Sequence, residues 1–205
     1  MKAEWETKSL GEVCTLINRG VSPKYIEDGG ICVLNQKCIR EHKLNVSLGR
    51  RHNNEAKKVK EERLVILGDV LVNSTGTGTL GRVAQVRETL LEPTTVDSHV
   101  TIVRPNSEIF FLDYFGYLLI GIEDKLKAAG EGASGQTELS RKVIANDFFV
   151  SYPKSKEEQE KIVRKLDIGF KQIANAELIL KNKSILLEEL KDTLLYESLN
   201  ANTLE

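Results

Sequence analysis

Three glycines are spaced as in a dinucleotide-binding turn within the stretch GDVLVNSTGTGTLGRVA, residues 68–84. Gly76, Gly78 and Gly81 fit the pattern G-x-G-x-x-G, and they follow a run that is typical of a β-strand. Such a turn binds a pyrophosphate only where a helix begins at the third glycine, because the helix N-terminus holds the phosphates. The residues after Gly81 alternate imperfectly between apolar and polar, which predicts a second strand. We therefore expect a glycine loop between two strands, with a phosphate cradle as the weaker alternative.

Patterns that would carry catalysis are missing from these 205 residues. The sequence has no G-x-x-x-x-G-K-[ST], no H-E-x-x-H, no G-x-S-x-G and no Cys-x-x-Cys. His99 follows Asp97 and Ser98 on a predicted strand, but adjacent strand residues point to opposite faces and cannot form a catalytic relay. We expect His99 to be structural or to contact a ligand, and we predict that the chain is not an enzyme and holds no cofactor of its own.

The cysteines and the apolar runs indicate where such a chain resides. Its 3 cysteines are an odd number, which favours reduced thiols, and no run of 18 apolar residues predicts a membrane span. The first ten residues lack the apolar stretch of a signal peptide. We therefore expect a cytoplasmic protein. We predict no metal site, because the spacing lacks the short pairs of a zinc centre at four potential ligands: Cys32, Cys38, His42 and His52.

Positive charge is concentrated in residues 37–63, although the net charge of the whole chain is only −1. This segment has nine lysines and arginines against four glutamates. A local basic surface suits a phosphate backbone, since each neutralised phosphate releases counterions. The alternative is an ordinary solvated face.

A change in composition near Pro153 predicts two regions. Residues 1–154 contain all 4 prolines and 14 of the 15 glycines, and their patterns are those of short strands and loops. The apolar stretch at residues 108–129 predicts one helix. We expect an α/β (α+β) domain of short mixed or antiparallel strands with this helix packed against the sheet, followed by a helical region at residues 155–205.

The second region predicts one long helix that forms a coiled coil. Ser155 and Glu158 fit a capping box at its start. Leucine or isoleucine then recurs every seven residues, which indicates a seam that packs against a second helix. The alternative is a helix that folds back across its own domain. The predicted pairing positions are Leu166, Ile173, Leu180, Leu187, Leu190 and Leu194.

Taken in order, five segments resemble one half of the specificity subunit of a type I restriction-modification enzyme. The segments are EWETKSLGEVCTLINRG, GDVLVNSTGTGTLGRVA, SHVTIVRP, GASGQTELSRKVIANDFFVSYP and KEEQEKIVRKLD. The sequence departs from the family pattern in having one proline before the helix where two are usual. It also has one target recognition domain and one spacer helix, whereas family members typically carry two of each.

The resemblance implies a function in double-stranded DNA recognition. The domain would dock its loops into the major groove, and two antiparallel helices would fix the gap between two half-sites. A homodimer would then read an interrupted palindrome, because the twofold symmetry of the protein is mirrored in the site. Methyl transfer and cleavage would belong to methyltransferase and restriction subunits, which would hold S-adenosylmethionine, ATP and Mg²⁺. A coiled-coil scaffold with a protein-binding head is the alternative.

Residue chemistry suggests which side chains in the loops contact DNA. Amides pair with adenine edges, cations reach guanine or phosphate, and hydroxyl groups do either. The predicted contacts are Asn35, Gln36, Asn73 and Gln136 among the amides, Lys37, Arg50, Arg51 and Arg82 among the cations, and Ser74, Thr75, Thr77 and Ser134 among the hydroxyl groups.

Overall fold

A computed structural model of the chain describes residues 4–130 and 138–200. The chain divides into two compact units, Met1–Lys161 and Ile162–Glu205, which are described separately below. The strands are β1 (Trp5–Ser9), β2 (Cys14–Arg19), β3 (Tyr25–Ile26), β4 (Ile31–Leu34), β5 (Ile39–Arg40), β6 (Lys43–Leu44), β7 (Arg50–His52), β8 (Val70–Asn73), β9 (Val83–Gln85), β10 (Thr94–Val96), β11 (Val100–Pro105) and β12 (Phe149–Pro153). The helices are α1 (Leu10–Val13), α2 (Leu112–Gly121), α3 (Glu123–Gly130), α4 (Arg141–Asp147) and α5 (Lys156–Asn200).

Two four-stranded sheets form the centre of the first unit. One has the strand order β2-β11-β8-β9 and is antiparallel throughout. The other has the order β10-β4-β7-β3 and is mixed, because β10 runs parallel to β4 while β7 is antiparallel to both of its neighbours. The prediction of short mixed and antiparallel strands followed by a long helix is confirmed.

One apolar core joins the two sheets. Leu34 and Val96 of the mixed sheet lie in the same buried cluster as Leu71 and Ile102 of the antiparallel sheet. The strands β8 and β11 are therefore buried along nearly their whole length. Burial of both faces explains why Val70, Leu71 and Val72 of β8 form a continuous apolar run instead of an alternating pattern.

The predicted helix at residues 108–129 is two helices in the structure, so this prediction was wrong in detail. The break lies at Ile122, between α2 and α3, after Gly121. Glycine is a poor helix former, and the side chain of Glu123 turns inward at the start of α3 to accept a hydrogen bond from the Val83 N–H at 2.9 Å. This contact ties α3 to the start of β9.

Helix α2 packs closely on β9. Gly116 allows this approach, because a Cβ atom at that position would lie 2.1 Å from Gln85 Oε1. Gln85 Nε2 also donates to the Leu112 carbonyl oxygen at 2.6 Å. The helix is thus held to the sheet by both packing and a hydrogen bond.

A buried ion pair explains the Gly-Asp-Val-Leu stretch at the start of β8. Asp69 is fully buried, and its two carboxylate oxygens accept hydrogen bonds from Arg104 at 2.8 and 2.9 Å. The same carboxylate accepts the Ile66 N–H at 2.8 Å. Burial raises the pKa of Asp69 above its ordinary value, and the Arg104 guanidinium opposes that shift. The pair joins the start of β8 to the end of β11.

The start of α5 is fixed to the rest of the first unit by a buried glutamine. Gln159 is 0% exposed, and its Oε1 accepts the Phe111 N–H at 2.8 Å. Its Nε2 donates to the carbonyl oxygens of Ile109 and Pro153 at 3.0 and 2.9 Å. Ser155 caps the helix as predicted, since its hydroxyl accepts the Glu158 N–H at 3.4 Å.

The second unit consists of the remainder of α5, which is 45 residues long in total. Its apolar side chains at the predicted pairing positions are largely exposed. The exposed fractions are 54% for Ile173, 66% for Leu180, 66% for Leu187, 55% for Leu190 and 54% for Leu194, whereas Leu166 is half-buried.

No helix in the described parts of the chain is both long enough and apolar enough to cross a membrane.

The Asp69–Arg104 pair generates a stability prediction. We expect Asp69→Ala to lower the free energy of unfolding by about 3 kcal/mol, because the variant leaves a partly buried guanidinium without its partner. Denaturant unfolding followed by circular dichroism measures the change. Glu92→Gln is the control, since it breaks an ion pair with Arg51 whose side chains are 30% and 42% exposed. The control should cost about 0.5 kcal/mol. Equal losses in the two variants would contradict the structural role of Asp69.

Candidate nucleic-acid interface

The glycine loop connects two strands of one sheet. It leaves β8 after Asn73 and enters β9 at Val83, so the predicted second strand is present where a nucleotide-binding turn would need a helix. Gly76, Gly78 and Gly81 have φ values of +98°, +75° and +75°, which are conformations that favour glycine. The spacing of the glycines thus follows from the path of the loop.

Gly81 also permits a close contact between the loop and α3. A Cβ atom at this position would lie 2.5 Å from the backbone nitrogen of Lys127. At Gly76, a Cβ atom would lie 2.7 Å from Gln36 Nε2. The glycines therefore let the loop approach both a helix and a neighbouring loop.

Three loops meet at Thr75. The side chain of Gln36, which follows β4, donates from Nε2 to Thr75 Oγ1 at 3.1 Å and to the Thr75 carbonyl oxygen. His99, which precedes β11, has its Nδ1 atom 2.7 Å from the same Thr75 hydroxyl oxygen. We refer to Gln36, Thr75 and His99 as the loop junction. Gln36 and Thr75 are half-buried and His99 is exposed, so the junction is open to a ligand.

Two predicted DNA contacts lie beneath the junction instead of on its surface. Asn73 and Ser74 are both 0% exposed. Ser74 Oγ is 2.5 Å from the Thr101 hydroxyl, and Asn73 Nδ2 donates to the Gln36 carbonyl oxygen at 3.4 Å. Neither side chain reaches the surface, and both support the loop from beneath.

The other predicted contacts around the junction differ in their exposure and in their hydrogen bonds. Asn35 caps the short turn Gln36–Cys38, because its Oδ1 accepts the Lys37 N–H at 2.9 Å. The Lys37 side chain is exposed, as is Thr77. Arg82 is half-buried and donates from Nη2 to the Gly78 carbonyl oxygen at 2.7 Å. Lys37 and Thr77 are therefore the more accessible of these groups.

The two arginines of β7 differ in how they are held. The guanidinium carbon of Arg50 lies 3.4 Å above the centre of the Tyr25 ring, which leaves the group exposed. Arg51 donates from Nη1 to both carboxylate oxygens of Glu92 at 2.7 and 2.9 Å. Arg51 must leave Glu92 before its charge can meet a phosphate, whereas Arg50 needs no such exchange.

Ser134 and Gln136 lie outside the described residues, so their predicted contacts have no structural description. The chain after them is anchored beside the glycine loop. The Leu139 N–H donates to the Ser74 carbonyl oxygen at 2.8 Å, and Glu138 forms an ion pair with Arg19 at 2.9 Å.

The basic segment extends over the hairpin of β5 and β6, over β7 and over the following loop. The turn of the hairpin is built by Glu41 and His42, which have φ values of 51° and 59°. His42 Nε2 lies 3.3 Å from a carboxylate oxygen of Glu123, which connects the hairpin to α3. Most cations of this segment are exposed, namely Lys37, Arg40, Lys43, Arg50, Lys57, Lys58 and Lys60.

Sequence reasoning left His99 out of the predicted DNA contacts. Its backbone N–H donates to the Asp97 carboxylate at 2.9 Å, and its carbonyl oxygen accepts the Ser74 N–H at 2.8 Å. Burial raises the pKa of Asp97 above its ordinary value. One sequence signal could have indicated that the His99 side chain is exposed and fixed. The histidine comes immediately before a buried strand and follows an Asp that can cap the turn.

The potential metal ligands do not gather into a site in the parts of the chain that the structure describes. Among residues 4–130 and 138–200, no group of three or more His, Cys, Asp or Glu side chains has the arrangement of a metal site. The three cysteines are free thiols, and burial raises the pKa of all three.

Residues 2–185 match the model of the family described as the type I restriction modification DNA specificity domain. The chain belongs to this family. Among curated proteins no sequence matches it.

Three solved structures share the fold of this family member. A chain from a study of complex assembly and conformational transition of the type I R-M system has a TM-score of 0.74 and 21% identity, and the match covers 96% of this chain and 46% of that one. The HsdS subunit from Thermoanaerobacter tengcongensis has a TM-score of 0.67 and 21% identity, with coverage of 94% and 44%. The type I restriction-modification S subunit from M. genitalium has a TM-score of 0.55 and 20% identity, with coverage of 94% and 45%.

All three matches cover nearly the whole of this chain and less than half of the other chain. The chain spans about half the length of the structures that it resembles, at 46%, 44% and 45%. At this level of identity the likeness shows the fold, and the match to the family model is what shows the family.

The glycine loop gives a second prediction about stability. We expect Gly81→Ala to lower the free energy of unfolding by about 3 kcal/mol or more, because the new Cβ meets the backbone of α3 in a left-handed conformation. Gly78→Ala is a matched control, since it has the same φ of +75° and nothing within 4 Å of an added Cβ. The control should cost about 1–2 kcal/mol. If denaturant unfolding gives the same loss for both variants, packing against α3 does not constrain the loop.

Proposed function

We propose that the chain is the DNA-reading component of a type I restriction-modification system and that it recognises one half of a bipartite target. The observation that carries this proposal is the family match over residues 2–185. The fold supports it, since the likeness to an HsdS subunit extends over 94% of this chain. The chain itself is non-catalytic in this proposal. Methyl transfer and cleavage are the work of partner subunits that bind S-adenosylmethionine, ATP and Mg²⁺.

The loop junction and its surroundings are the proposed DNA-facing surface. They place the half-buried, uncharged side chains of Gln36 and Thr75 next to an exposed cation at Lys37. This combination suits a major groove, where amide and hydroxyl groups pair with base edges and cations hold the phosphates. Thr77, Arg50 and the other exposed cations of the basic segment extend the same chemistry.

The exposed seam of α5 is the proposed site of pairing with a second copy of the chain. A 45-residue helix spans on the order of 65 Å, which is long enough to separate two recognition domains. Apolar side chains that recur every seven residues are covered when a second helix packs along them. An antiparallel pair would restore two domains and two helices, as in chains of about twice this length.

Further apolar side chains lie outside the seven-residue series. Ile168, Ile179 and Leu186 are 60%, 55% and 61% exposed, and Ile179 and Leu186 each lie about 100° around the helix from the seam leucine that follows them. A two-helix seam packs mainly along the seven-residue series, so these flanking side chains add apolar surface beside it. This surface supports the proposal that a methyltransferase subunit docks on the paired helices.

Selection of DNA from a random duplex pool tests the reading function. The chain bound to its methyltransferase subunit should enrich an interrupted palindrome, because two symmetry-related domains read two half-sites. Lys37→Gln should weaken binding to all duplexes and reduce the slope of log affinity against log salt by about 1, as expected for the loss of one phosphate contact. Lys191→Gln, on an exposed lysine of α5, is the control. Binding of every duplex with equal affinity would contradict the proposal.

Pairing through α5 is tested by the mass of the chain in solution. Wild type should be a dimer, and the double variant Leu180→Asp/Leu187→Asp should dissociate at least about 100-fold more readily, since burial of each leucine contributes about 1.5–3 kcal/mol. The control is Asn175→Asp/Asn182→Asp, which adds the same charges with the same spacing on another side of the helix. Analytical ultracentrifugation measures both. A monomeric wild type, or equal dissociation of the two variants, would overturn the pairing.

A further inference from the structure

We propose that His99 reads a DNA base, by donating a hydrogen bond from Nε2 to an acceptor on the edge of one base pair. This inference rests on the proposed function and adds a specificity-determining residue to it.

The backbone of His99 is fixed on both sides. Its N–H donates to Asp97 Oδ1 at 2.9 Å, and its carbonyl oxygen accepts the Ser74 N–H at 2.8 Å. Val100, the next residue, is fully buried at the start of β11. The exposed ring is therefore mounted on a rigid part of the domain, at the edge of the proposed DNA-facing surface.

The loop junction gives the His99 ring a hydrogen bond at Nδ1, and the direction of this bond decides which ring nitrogen carries the proton. Gln36 directs one side-chain atom at the Thr75 carbonyl oxygen, so this atom must be the amide nitrogen, because a carbonyl oxygen can only accept. The same nitrogen donates to Thr75 Oγ1 at 3.1 Å. The Thr75 hydroxyl keeps its own proton, and the inference assigns that proton to the hydrogen bond with His99 Nδ1, 2.7 Å away.

A ring that accepts at Nδ1 is neutral and carries its proton on Nε2. Within the described part of the chain, the hydrogen bonds of the His99 ring are confined to Nδ1. The Nε2–H group is thus an uncharged donor with a fixed direction, available to a ligand. Little side-chain entropy remains to be lost when it binds, because the Thr75 contact has already selected the orientation of the ring.

The other two histidines do not offer such a group. His52 is fully buried, with Nδ1 accepting the Lys24 N–H at 2.9 Å and Nε2 next to the Lys57 carbonyl oxygen at 2.8 Å. His42 is exposed, but its Nε2 faces the Glu123 carboxylate at 3.3 Å. Of the 3 histidines, His99 is the one whose outward nitrogen has no partner among the described residues.

A single fixed donor discriminates between bases in the major groove. Placed at the exocyclic groups, it pairs with guanine O6 or thymine O4 and is rejected by the amino groups of adenine and cytosine. A base edge fits this donor better than a phosphate does, because a single fixed hydrogen bond suits an acceptor on a base and the exposed cations nearby already suit the phosphates.

Selection from a random duplex pool, with the chain bound to its methyltransferase subunit, tests the inference. His99→Phe keeps an aromatic ring and removes the donor. We expect it to reduce the preference at one base pair of each half-site by about 3- to 10-fold, the value of one hydrogen bond, and to leave affinity for unrelated duplexes unchanged. His99→Gln, which restores a donor, should recover part of the preference. His42→Phe is the control and should select the wild-type site.

The outcomes separate the inference from the proposed function. If wild type selects a sequence and His99→Phe selects it with the same preference at every base pair, the inference is wrong while the reading function stands. A uniform loss of affinity for all duplexes in His99→Phe would make His99 a phosphate contact and would also overturn it. If wild type selects no sequence, the proposed function fails, and the inference with it.

The tautomer can be measured without DNA. The ¹⁵N chemical shifts of the histidine rings in the free chain should show His99 with its proton on Nε2, and Thr75→Val should shift the ring toward a mixture of tautomers. A mixture in wild type, or no response to Thr75→Val, would overturn the role of the loop junction.

Discussion

The pairing of β8 with β11 is the constraint on which the candidate interface depends. Val70 lies opposite Val103 at one end of this ladder, and Asn73 lies opposite Val100 at the other. The buried ion pair of Asp69 and Arg104 closes the first end. The loop junction lies just beyond the second end. A shift of one residue in this register would reverse which faces the side chains occupy and would separate His99 from Thr75.

Local sequence patterns were enough to predict the outline of the fold. Turn residues and apolar runs indicated short strands, and the seven-residue repeat indicated a long helix, because both signals are carried by neighbouring residues. Gly121 was a local signal for the break at Ile122, but the inward turn of Glu123 toward Val83 depends on a contact that spans 40 residues. Local propensity cannot indicate such a contact.

The candidate site was harder to predict than the fold, for a physical reason. Asn73 and Ser74 have side chains that suit a base edge, but they lie on a strand and loop buried on both faces. His99 is a single residue without a motif, and its partner Thr75 is 24 residues away. Residue type indicates what a side chain can bind, whereas its accessibility and its partners are decided by tertiary packing.

The loop junction also bears on how this domain could acquire a new target. Its three side chains come from separate loops, yet each depends on another for its orientation. Exchanging one loop alone would leave a polar group of the neighbouring loop without its hydrogen-bond partner, so under the proposed function a change of specificity at this point requires coupled substitutions. Thr77 and Lys37 are exposed and lie outside this network of side-chain hydrogen bonds, so each can be replaced without disturbing the network. The same surface therefore combines side chains that depend on one another with side chains that do not.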